Sequence, residues 1–211
     1  MENKVYNSAN LAGKAILVKA NNYIAGIKVQ KDYTIATNGY LLVKVSANME
    51  RENFPVNELV NENQPETCFL DSEDITVIEN SLKIGKTMKR MPMLSYFSID
   101  QTENKENLAV TTFNSKLKPT INMFENSHVN YPEVQTLFEK VVGFGKNVSF
   151  TLEMLENIVK VLKEANVEKD ASVQFNFTDD EKMFSKDMVH ATTKNKTDQQ
   201  IDLLIMPTNK S

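Results

Sequence analysis

The sequence predicts an α+β protein that repeats one order of elements: a strand, a helix, then three more strands. Three observations predict it. Apolar residues switch between a period of two and a period of about 3.6, in the same order, three times along the chain. A residue suited to cap a helix stands ahead of each 3.6-period stretch. The repeats recur at intervals of about 70 residues. The residues themselves are not similar between repeats, so the repetition is one of pattern.

The first repeat occupies residues 1–49. Lys4 to Tyr6 reads as a short strand, and Asn7 or Ser8 as the cap of a helix over Ser8 to Ala20, with Leu11, Ala12, Ala15 and Ile16 on its apolar face. Strands follow at Ile24 to Val29, Tyr33 to Ala36 and Leu41 to Val45. The second repeat, residues 67–124, has a strand at Thr67 to Leu70 and a cap at Asp71 or Ser72. Its helix runs through Ile75, Ile78 and Leu82, and its strands lie at Tyr96 to Ile99, Leu108 to Phe113 and Leu117 to Met123. The third, residues 148–211, opens on a strand at Val148 to Phe150 with Thr151 as cap. Its helix is expected to bury Leu155, Ile158, Val159 and Leu162, ahead of strands at Val173 to Phe177, Met183 to Ala191 and Ile201 to Ile205. Residues 50–66, with Pro55 and Pro65, read as a linker, and residues 125–147, with Pro132, Gly143 and Gly145, as a connecting segment. Ala191 to Gln200 is left unassigned.

Composition excludes several classes. The 211 residues are 41% hydrophobic and 25% charged, which suits one or two folded domains. No apolar run approaches the roughly 18 residues of a membrane span, and MENKVYNSAN carries no apolar stretch. A single cysteine, Cys68, makes no internal disulfide, so a cytoplasmic location is expected. The two histidines, His128 and His190, have no Cys or His at zinc-ligand spacing. Gly143-Phe144-Gly145-Lys146 lacks the length and the Ser/Thr of a phosphate loop. Asp179-Asp180-Glu181 sits between two strands and reads as an acidic hairpin tip. No acid/base or nucleophile constellation emerges, so neither an enzyme nor a cofactor nor a metal is expected.

The net charge is −4, yet the helices are unevenly charged. The first carries Lys14 and Lys19 and no acid. The second begins acidic, at Asp71, Glu73 and Asp74, and ends on Lys83, Lys86, Lys89 and Arg90, an order that also suits the helix dipole. The third sets Lys160 and Lys163 against Glu153, Glu156 and Glu164. Either these are ordinary solvated faces or the helices line a surface facing a polyanion.

Three stretches resemble the bacterial DNA polymerase III beta subunit, the sliding clamp. Tyr23-Ile24-Ala25-Gly26 followed by Ala36-Thr37-Asn38-Gly39-Tyr40-Leu41-Leu42 is similar to that family's aromatic-aliphatic-x-Gly strand and its Ala-Thr-Asp-Gly-His-Arg-Leu corner. Val129 to Phe138 resembles the Phe-Pro-Asp-Tyr segment that crosses between domains. Ile205-Met206-Pro207-Thr208 resembles the Met-Pro-Met-Arg-Leu ending. The resemblance implies DNA-clamp-like repeats, about three half-domain units, two of which pair as one domain over residues 1–124. It further implies a hydrophobic pocket where the three stretches meet, formed by Ile24, Thr37, Gly39, Tyr40, Leu41, Leu42, Pro132, Leu137, Leu204, Met206, Pro207 and Thr208. In the family such a pocket takes a short peptide from a polymerase or clamp loader. Gly39 would permit a tight corner and close approach of a partner, although Asn-Gly is also the signature of a two-residue type I′ hairpin turn. The family's His-Arg is Tyr40-Leu41 here, the Arg of the crossing segment is Gln135 or Thr136, and the last residue is not apolar.

The same resemblance implies a non-catalytic processivity factor on duplex DNA, with Lys14, Lys19, Lys83, Lys86, Lys89, Arg90, Lys160 and Lys163 facing the phosphate backbone without reading bases. A clamp ring holds twelve units, so a chain of three implies a homo-oligomer. The alternative is a clamp-fold adaptor or decoy that binds partner proteins without encircling DNA.

Overall fold

A computed structural model describes residues 4–17, 25–47, 49–50, 64–87, 92–103, 105–114, 116–127, 129, 131, 150–177 and 188–205. The strands are β1 (Lys4–Asn7), β2 (Gly26–Gln30), β3 (Tyr33–Thr37), β4 (Leu41–Ser46), β5 (Met49–Glu50), β6 (Thr67–Asp71), β7 (Tyr96–Gln101), β8 (Asn107–Phe113), β9 (Pro119–Glu125), β10 (Gln174–Phe177), β11 (Val189–Lys194) and β12 (Gln200–Ile205). The helices are α1 (Lys14–Leu17), α2 (Ser72–Thr87) and α3 (Leu152–Glu164), with 3-10 turns at Ser8–Leu11 and Pro92–Ser95.

Capping side chains set the helix starts. Asn7 accepts from Ala9 N at 2.8 Å while Asn10 accepts from Asn7 N at 3.0 Å, a reciprocal box that satisfies two orphan donors. Asp71, rather than Ser72, caps α2: its Oδ1 accepts from Glu73 N and Asp74 N at 2.8 and 2.9 Å, and Asp74 Oδ2 accepts back from Asp71 N. Thr151 accepts from Met154 N at 3.2 Å, as expected. The helix expected over Ser8 to Ala20 is not continuous. A 3-10 turn gives way at Ala12 and Gly13 before α1 begins. There the chain lies directly on β3, where a Cβ on Gly13 would stand 2.3 Å from the Ala36 Cβ. Only a glycine permits that approach.

The strands form two antiparallel sheets, β5-β1-β7-β8-β9 and β10-β11-β12-β4-β3-β2-β6. The first two repeats exchange their opening strands. β1 pairs with β7 of the second repeat (Tyr6↔Phe97), and β6 pairs with β2 of the first (Ile27↔Leu70). The third repeat adds its strands to the first repeat's sheet through β12 and β4, in the register Leu203↔Val43. β9 starts at Pro119 rather than Leu117. Asn114 Oδ1 accepts from Lys116 N and Lys118 N, and this turn places Leu117 at φ +57°. Phe150 is not in a strand, and Val148 and Ser149 lie outside the described residues, as do 178–187.

The main core lies between the two sheets and is filled by the helices. Leu41, Val43 and Val45 of β4, Ile201, Leu203 and Ile205 of β12, Ile75, Ile78 and Leu82 of α2 and Ile158 and Val161 of α3 all belong to it. Tyr6 and Phe97 stack at 5.7 Å between ring centroids. The opposite face of the seven-stranded sheet carries a second cluster of Ile35, Leu42, Phe69, Tyr131, Met188 and Leu204. Both faces are covered, so β4 is apolar on both, which is why its sequence, LLVKVS, barely alternates. The third helix departs from expectation: Leu155 and Val159 are 41% and 47% exposed, while Ile158 and Val161 are buried.

A buried amide network joins the first and third repeats. Gln199, 1% exposed, accepts from Asn7 Nδ2 and Asn195 Nδ2, each at 2.9 Å. Its Nε2 donates to Asn10 Oδ1 at 3.2 Å and to Ser46 O at 2.9 Å. Asn195 Nδ2 also donates to Ala165 O at the end of α3, and Asn10 Nδ2 to Val45 O.

Two outcomes follow for stability. Gly13→Ala destabilises by about 1–3 kcal/mol through overpacking, and Ala36→Gly in the same chain returns part of it, as chemical denaturation measures. Gln199→Ala removes the acceptor of the buried Asn7 Nδ2 and one partner each of Asn10 and Asn195, and costs about 1–3 kcal/mol by the same assay.

Candidate functional site

The Thr37–Leu41 corner is built by side chains bonding to their own backbone. Thr37 Oγ1 accepts from Gly39 N at 3.1 Å and donates to Leu41 O at 3.0 Å. Asn38 Oδ1 accepts from Tyr40 N and Leu41 N at 3.0 and 2.9 Å. Gly39 sits at φ +89° and Asn38 is not left-handed, so the corner is not a type I′ turn, which needs both. The pairing Thr37↔Leu42 closes the hairpin beyond it. A Cβ on Gly39 would meet nothing within 4 Å, so the glycine serves the backbone angle, and the space above it is open. Tyr40 stands 60% exposed beside it.

The register brings the corner to the C-terminal strand, Leu41 facing Ile205 and Leu42 facing Leu204. Tyr131, from the crossing segment, packs on Leu42 and Leu204, and its hydroxyl donates to Ile35 O at 3.5 Å. Lys28 Nζ lies 5.8 Å from the centre of the Tyr131 ring. The described parts of the three stretches are thus neighbours in space, but the sheet divides the residues named on them. Leu42 and Leu204 lie on the outer face with Tyr131, both buried. Tyr40, Leu41 and Ile205 lie at a cleft on the helix side, about 320 Å³ in volume, whose other wall is the start of α3 at Thr151, Glu153, Met154, Asn157 and Ile158. Thr37 is buried in the corner itself. Ile24, Pro132, Leu137, Met206, Pro207 and Thr208 lie outside the described residues. Sequence reasoning missed the contribution of α3, because nothing in the chain's order says which helix ends beside the corner.

The basic positions are less uniform than a charge count suggests. Lys14 lies between two glutamates, bonded to Glu79 of α2 and 3.4 Å from Glu164 of α3. Lys160 and Lys163 of α3 are exposed. Lys83 and Lys86 fall within α2, with their side chains outside the described residues, and Lys19, Lys89 and Arg90 lie outside them altogether. The Gly143–Lys146 and Asp179–Glu181 stretches are outside them too. Among the described residues, no group of three or more His, Cys, Asp or Glu is placed to hold a metal ion, and no helix is long and apolar enough to cross a membrane.

On the outer face, beside Leu204, His190 Nε2 and Asp202 Oδ1 are 3.0 Å apart. Burial pushes the Asp202 carboxyl up, but hydrogen bonds with His190, Gln200 and Thr192 outweigh it and hold the pKa below the ordinary carboxylate value. A lowered folded-state pKa contributes stability above the unfolded value, near 4, that is lost as pH falls through the folded one. Asp202→Asn therefore lowers stability at neutral pH and flattens the acid limb of the stability profile below about pH 4, read by denaturant midpoints across a pH series.

No family model and no curated protein matches the chain. Solved structures do. PCNA from Thermococcus kodakaraensis is similar at 13% identity and a TM-score of 0.50, over 97% of this chain and 99% of that one. The A. fulgidus PCNA, solved with the C-terminal region of FEN-1 bound, is similar at 10% identity and a TM-score of 0.50, over the full length of both chains. At such identities the likeness is one of architecture, a mixed chain of few helices and many antiparallel strands matched over its full length: the chain has a DNA-clamp fold.

Proposed function

We propose that the chain is a non-catalytic processivity factor of the sliding-clamp type, a diverged relative of the bacterial beta subunit. It lies along or encircles duplex DNA as an assembly of several copies, and it recruits a polymerase or clamp-loader-type protein through a short hydrophobic peptide. The observation that carries this reading is the clamp fold matched end to end. The basic helix positions supply a backbone-directed, sequence-independent attraction that salt weakens. The cleft between Tyr40, Leu41, Ile205 and the start of α3 is the seat for the peptide, apolar with a few polar groups at its rim. The A. fulgidus clamp, solved with the C-terminal region of another protein bound, supports this kind of partner.

A second reading, an adaptor or decoy that binds partners without DNA, is favoured by one observation. Lys14, at the middle of the helix row, spends its charge on Glu79 and Glu164.

Reversing Lys83, Lys86, Lys89 and Arg90 to Glu separates the two. For a clamp, weak retention on nicked circular duplex falls at least tenfold, and the unmodified chain loses about as much between 50 and 200 mM salt. An adaptor is unaffected by the reversal. Tight, sequence-specific DNA binding at physiological salt would sink the clamp reading. Tyr40→Ala, combined with Met206→Ala and Pro207→Ala, abolishes capture of a labelled polymerase-tail peptide in fluorescence anisotropy. Unchanged affinity places the peptide elsewhere.

A further inference from the structure

We infer that the β8–β9 hairpin tip, Lys116-Leu117-Lys118, is a docking finger for an acidic, leucine-bearing segment of another protein. Leu117 is its apolar anchor, and the two lysines are its charge contacts. The inference rests on none of the residues named above for DNA or for the Tyr40 cleft.

The tip is held from within. Asn114 Oδ1 accepts from Lys116 N and Lys118 N at 2.9 and 3.1 Å. The backbone closes the turn twice more: Leu117 N donates to Asn114 O at 2.8 Å, and Asn114 N to Lys118 O at 3.0 Å. These bonds hold Leu117 at φ +57°, in the left-handed region. A side chain with a Cβ is disfavoured there, and glycine, asparagine and aspartate are the usual occupants. Among the described residues, the other non-glycine residues with positive φ are Lys105, Asn166 and Asp198, all polar. The turn itself gives no reason for a leucine, and an outlier of this kind points to a role beyond the turn.

The surroundings of the tip supply that role. Leu117 is 42% exposed, between exposed Lys116 and Lys118. Among the described residues, neither lysine is part of an ion pair. A cleft of about 400 Å³ lies between α2 and these strands, lined by Val77, Ser81, Thr112, Phe113, Asn114 and Thr120. It opens beside the tip, since Asn114 begins the turn and Thr120 follows it. Val77, on the α2 wall, is 39% exposed.

Charge selects the partner. Asn107 to Phe124 contains no acid, and neither does Asn80 to Ser98, which ends α2 and leads into β7. The acids of this sheet gather at its other end, where Glu103 and Glu106 lie in the β7–β8 turn and Glu125 ends β9. A seven-residue strand, about 20 Å, separates the two ends. A surface polarised in this way draws a polyanion to one end. A nucleic acid accepts an apolar side chain as a wedge between bases, but Leu117 is more than half buried and does not project as a wedge. An acidic peptide with an aliphatic side chain meets both features. Its carboxylates face the lysines, and its apolar group covers Leu117 and Val77. A rigid tip loses little freedom in the contact.

The test is methyl NMR of the full-length chain, titrated with a short peptide of alternating glutamate and leucine. Binding is expected to shift Leu117 and Val77 and to leave Leu41 and Ile205 of the Tyr40 cleft in place. Lys116→Glu with Lys118→Glu weakens binding about tenfold or more. Leu117→Asn weakens it as much, yet the denaturant midpoint stays or rises, because asparagine suits φ +57°. That combination separates docking from folding. Polyglutamate of equal charge binds about tenfold more weakly, since it lacks the apolar contact. No shift at millimolar peptide overturns the proposal. So do shifts confined to the Tyr40 cleft, or a Leu117→Asn chain that binds as tightly as the unmodified one. An oligothymidylate of equal charge that shifts the same methyls as strongly also overturns it, and makes the tip a phosphate contact.

Discussion

Gln199 is the residue on which the joining of the repeats depends. It is buried at the seam between the first and third repeats, and its amide meets five side-chain or backbone groups there. The oxygen accepts hydrogen bonds from Asn7, Asn195 and Thr197, and the nitrogen donates two, to Asn10 and Ser46. Asn7 begins the first helical turn, Ser46 ends β4, and Asn195 ties the β11–β12 turn to the end of α3. Apolar packing alone discriminates weakly between registers of β12 on β4, since Leu42 and Leu204 make the outer face apolar in part as well as the core face. A saturated amide network does not slide, because each step strands buried donors. The register Leu203↔Val43 is held in this way.

That register has consequences at the functional site. It places Ile205 beside Leu41 and hence the C-terminal strand beside the corner. It also brings α3 over β4 and β12, so that the start of the helix becomes the second wall of the cleft. The same docking sets Glu164 against Lys14 and leaves the opposite flank of α3 open. One buried polar seam therefore orders a candidate peptide seat, the electrostatics of the helix row and an apolar edge.

Much of the fold was legible. Most strands stand within two residues of where alternation and turn residues put them, because a half-buried sheet imposes its period on the side chains. Helix starts were legible because a capping residue is a local device: Asp71 and Thr151 bond to amides two or three residues away. The break after Leu11 was not legible, since it follows from the contact of Gly13 with Ala36 across the core. Nor was the exposure of Leu155 and Val159. A helical stripe shows that a face is apolar, but not that a neighbour in the chain exists to cover it. At the candidate site, the nearness of corner, Tyr131 and C-terminal strand came from a resemblance. Their division between two faces of one sheet came from alternation about a register the sequence does not state.

By itself the sequence determined local matters: the α+β class, the strand–helix–three-strand order of the first two repeats, the caps and the sharp corner at Gly39. Each depends on residues within a few positions of one another, where propensity and hydrogen bonding act directly. Tertiary structure alone decided which repeats exchange strands, which helix faces the corner, where the charge of Lys14 goes and which apolar flank is left open. Those depend on contacts between residues as far apart as Asn7 and Gln199, and such contacts are selected by the packing of the whole chain rather than by any stretch of it.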